Sequence, residues 1–368
     1  MRVGYLMIDN ALQIIHSHLQ SLTVPTLWFA DENAQPLLKL IAYDKHLTIV
    51  TNRFDIYQQA TIKGIPVVFS DFNIDDYPVQ KFLKIVYRIS KEKAQVHTII
   101  NQSAYLLADS HPIDSSTTAD PCLVISGFKN EGIKSYADKI KSITRAQGAL
   151  KKYGDYYCGK FSKLSKNIQL DVKDYKNLKK IIVDKNKAID ADADDFYSKP
   201  GVFGWNKIDK GTELLLTSLK KLMSDNELKP SNVLDLGCGY GWIFLNIDQY
   251  NFANITATDN NAAAIIAAKE NAKIMHTSTK IIASDCADCI DDTFDLVLCN
   301  PPFHQGFKHT QTLTDKFIET CHKKTKNSGS ILLVTNEFVN FESLAKRLFT
   351  HKKTLLKKQG FKVILLTK

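Results

Sequence analysis

Strand-like apolar runs of five or six residues recur through the second half of the chain, at Asn232–Leu236, Asn254–Thr258, Thr279–Ala283, Phe294–Cys299 and Ser330–Thr335. Longer stretches with helical character separate them, at Trp242–Tyr250, Asn261–Met275 and Thr312–Lys324. Strands alternating with helices at this spacing build βαβ units, and therefore a parallel sheet covered by helices on both faces. The rhythm then changes. A helix over Phe341–Phe349 leads into two strand-like runs, Lys353–Lys358 and Phe361–Thr367, parted only by Gln359-Gly360. A two-residue gap of that kind is a hairpin turn, so the sheet closes with an antiparallel pair.

The first half repeats the pattern more faintly. Thr26–Ala30, Leu47–Thr51, Pro66–Phe69, Phe82–Ile89 and Cys122–Ser126 read as strands, with helices between them such as Phe54–Lys63 and Lys91–Leu107. Asp155–Asp171 is expected to form a second closing hairpin. The shared order suggests a duplicated α/β unit. Between the copies, Asp171–Tyr197 is crowded with Lys, Asp and Asn and poor in large apolar residues. That composition suits a solvated linker and places the boundary near residues 180–195, giving domains 1–185 and 186–368.

The copies differ in their loops. The run Asn232–Leu236 exits into Gly237-Cys238-Gly239-Tyr240-Gly241, whereas the equivalent first-half strands exit into Ala30-Asp31-Glu32 and Thr51-Asn52-Arg53. A dinucleotide fingerprint needs its third glycine one residue after Gly241, where Trp242 stands, so a pyrophosphate is disfavoured. A ligand with an adenosine and no phosphate remains, and the amino-acid tail of S-adenosylmethionine fits it. Asp235 can accept from the cationic amine of that tail. Asp259, 24 residues on with Asn260 beside it, can accept from both ribose hydroxyls. Asp285, after the third strand, is either an adenine contact or a helix cap.

Asn300-Pro301-Pro302-Phe303 follows the fourth strand of the second half, where the first half has only Arg88-Ile89-Ser90-Lys91. An aromatic exocyclic amine is a poor nucleophile because its lone pair is delocalised. The Asn300 side-chain oxygen and the Pro301 carbonyl can each accept one amine hydrogen and draw the nitrogen toward tetrahedral geometry. The two prolines hold the turn stiff, and Phe303 offers a face for a base to stack on. His304 either orients the base or packs the loop. Upstream, Gly201–Thr212 precedes an apolar helix at Glu213–Met223. There Phe203 and Trp205 are candidates to close over a cofactor, with Asp209 and Gly211 capping the helix.

Composition narrows the partners. The 368-residue chain is long enough for two domains and carries a net charge of +9, which favours polyanions. Lys308, Lys323, Lys324, Lys326, Lys352, Lys353, Lys357 and Lys358 lie toward the substrate side of the second half; the first half adds Lys129, Lys134, Lys139, Lys141, Lys151 and Lys152. No apolar stretch approaches the ~20 residues of a membrane span, and the N-terminus lacks a signal-peptide layout, so a cytoplasmic location is expected. Seven scattered cysteines suit a reducing compartment, and Cys286-x-x-Cys289 has no second pair to complete a zinc set, so no metal is expected.

The glycine loop, the Asn300–Gly306 segment and Ile208-Asp209-Lys210-Gly211-Thr212 resemble those of the bacterial ribosomal RNA guanine-N2 methyltransferases, particularly the small-subunit branch. In the first half Gly127–Ser135 is similar to that family's loop after its degenerate fifth strand. The resemblance implies two tandem class I methyltransferase domains of Rossmann-like α/β fold, the N-terminal copy degenerate. It implies S-adenosylmethionine bound by Asp235, Gly237 and Asp259, with Cys238, Gly239, Gly241, Asn260, Asp285 and Asn300 as further candidates for that site. Catalysis falls to Asn300, Pro301, Pro302 and Phe303, acting on guanine N2 in ribosomal RNA or the small ribosomal subunit, with the protein a monomer. Alternatives are a large-subunit guanine-N2 enzyme, a protein glutamine N-methyltransferase and a non-catalytic RNA-binding assembly factor.

Overall fold

The computed structural model describes residues 8–73, 82–109, 120–167, 169–181, 196–302, 307–339 and 342–368, with side chains from Leu313 and Ser343 onward in the helices that begin at 307 and 342. The chain divides into two compact units, Met1–Asn177 and Leu178–Lys368.

The first unit runs α1 (Asn10–Leu19), β1 (Thr26–Ala30), α2 (Gln35–Leu38), β2 (Leu47–Thr51), α3 (Phe54–Ile62), β3 (Val67–Phe69), β4 (Lys84–Arg88), α4 (Lys93–Leu106), β5 (Cys122–Phe128), α5 (Ile133–Thr144), β6 (Gln147–Tyr153) and β7 (Tyr156–Ser162). Its strands form one sheet in the order β3-β2-β1-β4-β5-β7-β6. The second unit begins with a two-stranded ribbon, β8 (Lys179–Ile181) and β9 (Phe196–Ser198). It continues with α6 (Lys210–Ser224), β10 (Asn232–Leu236), α7 (Trp242–Ile247), β11 (Asn254–Asp259), α8 (Ala262–Ile274), β12 (Lys280–Ala283) and β13 (Phe294–Cys299). Then come α9 (Phe307–Lys324), β14 (Thr325–Asn336), α10 (Glu342–Leu348), β15 (His351–Lys358) and β16 (Phe361–Thr367). The order of its main sheet, β12-β11-β10-β13-β14-β16-β15, repeats that of the first unit strand for strand. In both, every pairing is parallel until the penultimate strand of that order, β7 or β16, which runs antiparallel to both neighbours. The duplicated, doubly wound architecture expected from the sequence is present.

Successive side chains of the central strands serve opposite layers, which explains why these strands are apolar at nearly every position. Val233, Leu296, Leu298, Leu332 and Val334 pack with α6, α7 and α8. Leu234, Leu236, Val297, Cys299, Ile331 and Leu333 pack with α9 and α10 on the other face. Strand order reverses between β10 and β13, so their carboxyl ends flank the crevice where open α/β sheets bind ligands.

Two differences from the expected boundaries bear on how the chain is organised. The first closing hairpin is β6–β7, turning at Gly154-Asp155, and does not occupy 155–171. Strand β6 is an edge strand with Lys151 and Lys152 exposed, so it lacks the apolar pattern that marks an interior strand. Residues after it fasten to α4, where the Asn101 amide donates to the Leu170 carbonyl and accepts from its N–H, both at 2.8 Å. The units part at 177/178, ahead of the expected 185/186, because β8 already pairs with β9 of the second unit. Most of the expected linker, 182–195, lies outside the described residues.

Candidate active site at the β10–β13 crevice

The glycine loop leaves β10 by turning back on β11. The N–H groups of Gly237 and Cys238 both donate to the Thr258 carbonyl at 2.9 Å. Gly241 then starts α7 with φ +100°, and a Cβ there would stand 2.5 Å from the Phe244 ring, so neither conformation nor space admits a side chain. A Cβ on Gly239 would meet nothing within 4 Å, leaving the outer face of the loop bare backbone.

Asp259 closes this loop from the end of β11. Its Oδ2 accepts from the Gly239 N–H and its Oδ1 from the Asn261 N–H, both at 2.9 Å. Each oxygen keeps lone-pair capacity for a hydroxyl. Asn260 is half-buried beside it. Asp235 is fully buried; its Oδ2 accepts the Phe244 N–H at 3.1 Å, and its Oδ1 has no partner among the described residues. Burial, reinforced by the Asp259 charge, pushes its carboxyl up to about 8. Its first task is to tie the start of α7 to β10. Cys238 is buried with its thiol pushed up by burial. Asp285 is ion-paired with Lys316 of α9. These groups fit an adenosyl ligand: a bare glycine cradle, a carboxylate at the ribose position and an orphaned buried oxygen behind the loop.

At the end of β13, Asn300 is half-buried, Pro301 buried and Pro302 exposed. The Asn300 Nδ2 donates to Asp209 Oδ2 at 2.9 Å and to Thr212 Oγ1 at 2.7 Å. Asp209 is the N-cap of α6, its Oδ2 also accepting the Thr212 N–H at 3.0 Å. Gly211 lies inside α6 and does not cap it; a Cβ there would come 3.0 Å from the Phe361 ring. Phe303 and His304 lie outside the described residues.

The segment leading to α6 is tied across the loop. Asn271 of α8 bonds the Tyr197 N–H and carbonyl at 2.8 Å and the Tyr240 carbonyl at 2.7 Å, and Asn261 donates to the Gly201 carbonyl at 2.7 Å. Trp242 packs edge-on against Phe196. Phe203 is 59% exposed, while Trp205 packs on the core under the Lys179 ammonium, so the two expected lid residues have different surroundings. Asn271 was not legible as a site residue, because it belongs to no spaced motif; Thr212 was visible only as the last residue of the Ile208–Thr212 segment, with no role attached. Cys286 is buried and Cys289 exposed, and no cluster of three or more potential metal ligands occurs among the described residues.

The first unit puts other side chains at the same positions. Register aligns Asp31 with Gly237, Asn52 with Asp259 and Ile89 with Asn300. The Asp31 carboxylate accepts from Tyr87 Oη at 3.1 Å and Gln95 Nε2 at 3.4 Å, so a buried side-chain network lies where the second unit has bare glycine backbone. Burial raises the Asp31 carboxyl to about 8.

Comparison with known proteins agrees with this fold. The methyltransferase small domain family matches residues 194–365. The ribosomal RNA small subunit methyltransferase C of Actinobacillus succinogenes is 28% identical over 97% of this chain and 98% of its own length. The protein of that name from Haemophilus influenzae (strain PittEE) is 35% identical over 45% of this chain and 49% of its own length. A solved T. thermophilus 16S rRNA N2 G1207 methyltransferase, in complex with AdoMet and guanosine, shares the fold at a TM-score of 0.79 and 19% identity, over 100% of this chain and 93% of that one. Residues 194–365 thus belong to the methyltransferase small domain family, and the chain as a whole is similar to ribosomal RNA small subunit methyltransferase C.

Proposed function

We propose that the protein methylates the exocyclic N2 of a guanine in 16S ribosomal RNA. The observation that carries this reading is the Asn300 side chain at the β13 exit. Both of its amide hydrogens are taken by Asp209 and Thr212, so it offers an oxygen beside the glycine loop. The full-length similarity to small-subunit enzymes supports the choice of RNA.

In this reading Gly237, Cys238, Gly239 and Gly241 lay backbone against the adenosyl group, Asp259 and Asn260 hold the ribose, and Asp285 faces the adenine. Asp235 supports the loop from beneath. S-adenosylmethionine supplies an electrophilic methyl on sulfur. The Asn300 oxygen and the Pro301 carbonyl accept the two N2 hydrogens and localise the nitrogen lone pair, while Phe303 stacks on the base. Nitrogen forms its bond to the methyl carbon as the carbon–sulfur bond breaks, and the extra N2 proton then leaves to solvent. No strong base is required, since positioning and preorganised acceptors lower the barrier.

The first unit serves RNA binding and the folding of its partner copy, and the protein acts as a monomer in the cytoplasm. No helix among the described residues is long and apolar enough to cross a membrane.

Small subunits or 16S RNA from cells lacking this enzyme should gain one N2-methylguanine when treated with the protein and labelled S-adenosylmethionine. Asn300→Ala should lower turnover ~10²–10³-fold with cofactor affinity unchanged. Label on another atom, or only on large-subunit RNA, would overturn the assignment.

A further inference from the structure

We infer that Asp209 and Thr212 are positioning residues that lock the Asn300 amide with its oxygen, and not its nitrogen, toward the acceptor amine. The inference rests on the guanine-N2 reading and adds the device that makes Asn300 an acceptor.

A primary amide has two faces of opposite use. Rotated by half a turn, Asn300 would aim two N–H donors at a substrate amine that itself carries hydrogens, and the site would repel what it must activate. Asp209 excludes that state. Its Oδ2 lies 2.9 Å from Asn300 Nδ2, and a carboxylate offers acceptors only; a rotated amide would set oxygen against oxygen at that distance. Thr212 adds directionality. Its Oγ1 accepts from Asn300 at 2.7 Å and has a 3.4 Å contact to Asp209 Oδ2, to which its own proton can point. With that proton directed at the carboxylate, the hydroxyl presents only lone pairs to Asn300. Thr212 is 7% exposed, so water competes little for these bonds. Both groups sit at the start of α6, whose own N-cap bond from Thr212 N–H to Asp209 fixes their spacing.

The two roles of Asp209, cap and clamp, can be separated. Asp209→Ser retains a capping hydroxyl and loses the reach to Asn300, whereas Asp209→Asn keeps one oxygen where Oδ2 now lies. Thr212→Val removes the hydroxyl at constant shape, and Thr212→Ser restores it. In the full-length protein, with undermethylated small subunits and labelled S-adenosylmethionine, Asp209→Ser and Thr212→Val should lose about 10- to 100-fold in kcat, less than removal of the acceptor itself. The dissociation constant for S-adenosylmethionine should stay within twofold, and Asp209→Asn and Thr212→Ser should recover most of the rate. On an Asn300→Ala background, Thr212→Val should cost nothing more. Near-parental kcat for Asp209→Ser and Thr212→Val, beside an inactive Asn300→Ala, overturns the positioning role and leaves the guanine reading standing. A further loss in the double variant also overturns it, because the effect is then on folding. Full activity of Asn300→Ala sinks the guanine-N2 reading itself.

Discussion

Asp9 and Asp209 hold the same post in the two copies. Asp9 caps α1 by accepting the Leu12 N–H at 2.6 Å, and Asp209 caps α6 by accepting the Thr212 N–H at 3.0 Å. Each also reaches the end of the fourth strand of its sheet, but the group it finds there differs. Asp209 takes the Asn300 amide, whereas Asp9 takes the Arg88 guanidinium at 2.9 Å. In the first copy Glu131 then closes on the same guanidinium with two bonds, at 2.7 and 2.9 Å, and Phe128 lies 5.5 Å away. An ion cluster stands in the first copy where the second has the Asp209–Asn300 hydrogen bond.

That cluster should now be structural. Arg88 is 4% exposed and Glu131 9%, so removing the cation strands a buried carboxylate. Arg88→Met should destabilise the first unit by ~3–5 kcal/mol. Denaturant-dependent hydrogen exchange in α1 and β5 measures this locally. A loss under ~1 kcal/mol would show that the cluster is solvated and dispensable.

Asp259→Ala tests the cofactor side. It removes the carboxylate assigned to the ribose and also releases the Gly239 N–H. S-adenosylmethionine binding should weaken by ~1.5–3 kcal/mol for charge-assisted bonds. Calorimetry returning the parental dissociation constant would remove Asp259 from the ligand site.

How much of this was legible beforehand depended on whether a residue's role is local. The strands from Asn232 to Cys299 were visible because burial on both faces makes them apolar throughout, and β10 and β13 have the expected limits. The terminal hairpin at Gln359-Gly360 was visible because only two residues part its strands, and in the fold both take the positive φ, 54° and 80°, that so short a turn demands. Strand β6 was misplaced because an edge strand owes little to the core. The Asn300 clamp was hidden for another reason. Asp209 reads as a helix cap and Thr212 only as part of the Ile208–Thr212 segment, and the contact that joins Asp209 to Asn300 spans 91 positions of sequence. Asp235 shows another limit: its motif position suggested a ligand contact, and the bond of its second oxygen to the Phe244 N–H could be seen only in the fold.

Gly241→Ala should damage the cradle from within. The position has φ +100°, and the new methyl would collide with the Phe244 ring at 2.5 Å. Strain and displacement together should cost ~1–3 kcal/mol and loosen cofactor binding with it. Gly239→Ala, whose methyl meets no protein atom within 4 Å, should fold better than Gly241→Ala yet still lose S-adenosylmethionine affinity. Thermal midpoints and calorimetry on the two variants separate protein strain from ligand exclusion. Equal midpoints would refute the packing argument at Phe244.

Asp235 should make the protein weaken as pH rises toward neutrality and beyond. Its carboxyl sits at about 8 in the folded chain, raised first by burial and then by Asp259, against 3.8 when solvated. Between those values the folded state holds a proton that the unfolded state has released. Stability from this group is therefore full below pH 3.8 and declines through the window up to about 8. Asp235→Asn cannot ionise and keeps an acceptor for the Phe244 N–H, so its stability curve should be flatter across pH 5–8. The difference should amount to the order of 1 kcal/mol or more over that range. Urea midpoints for both proteins at matched ionic strength provide the comparison. Parallel curves would mean that Asp235 is ionised in the fold, with an uncharged or cationic neighbour at Oδ1.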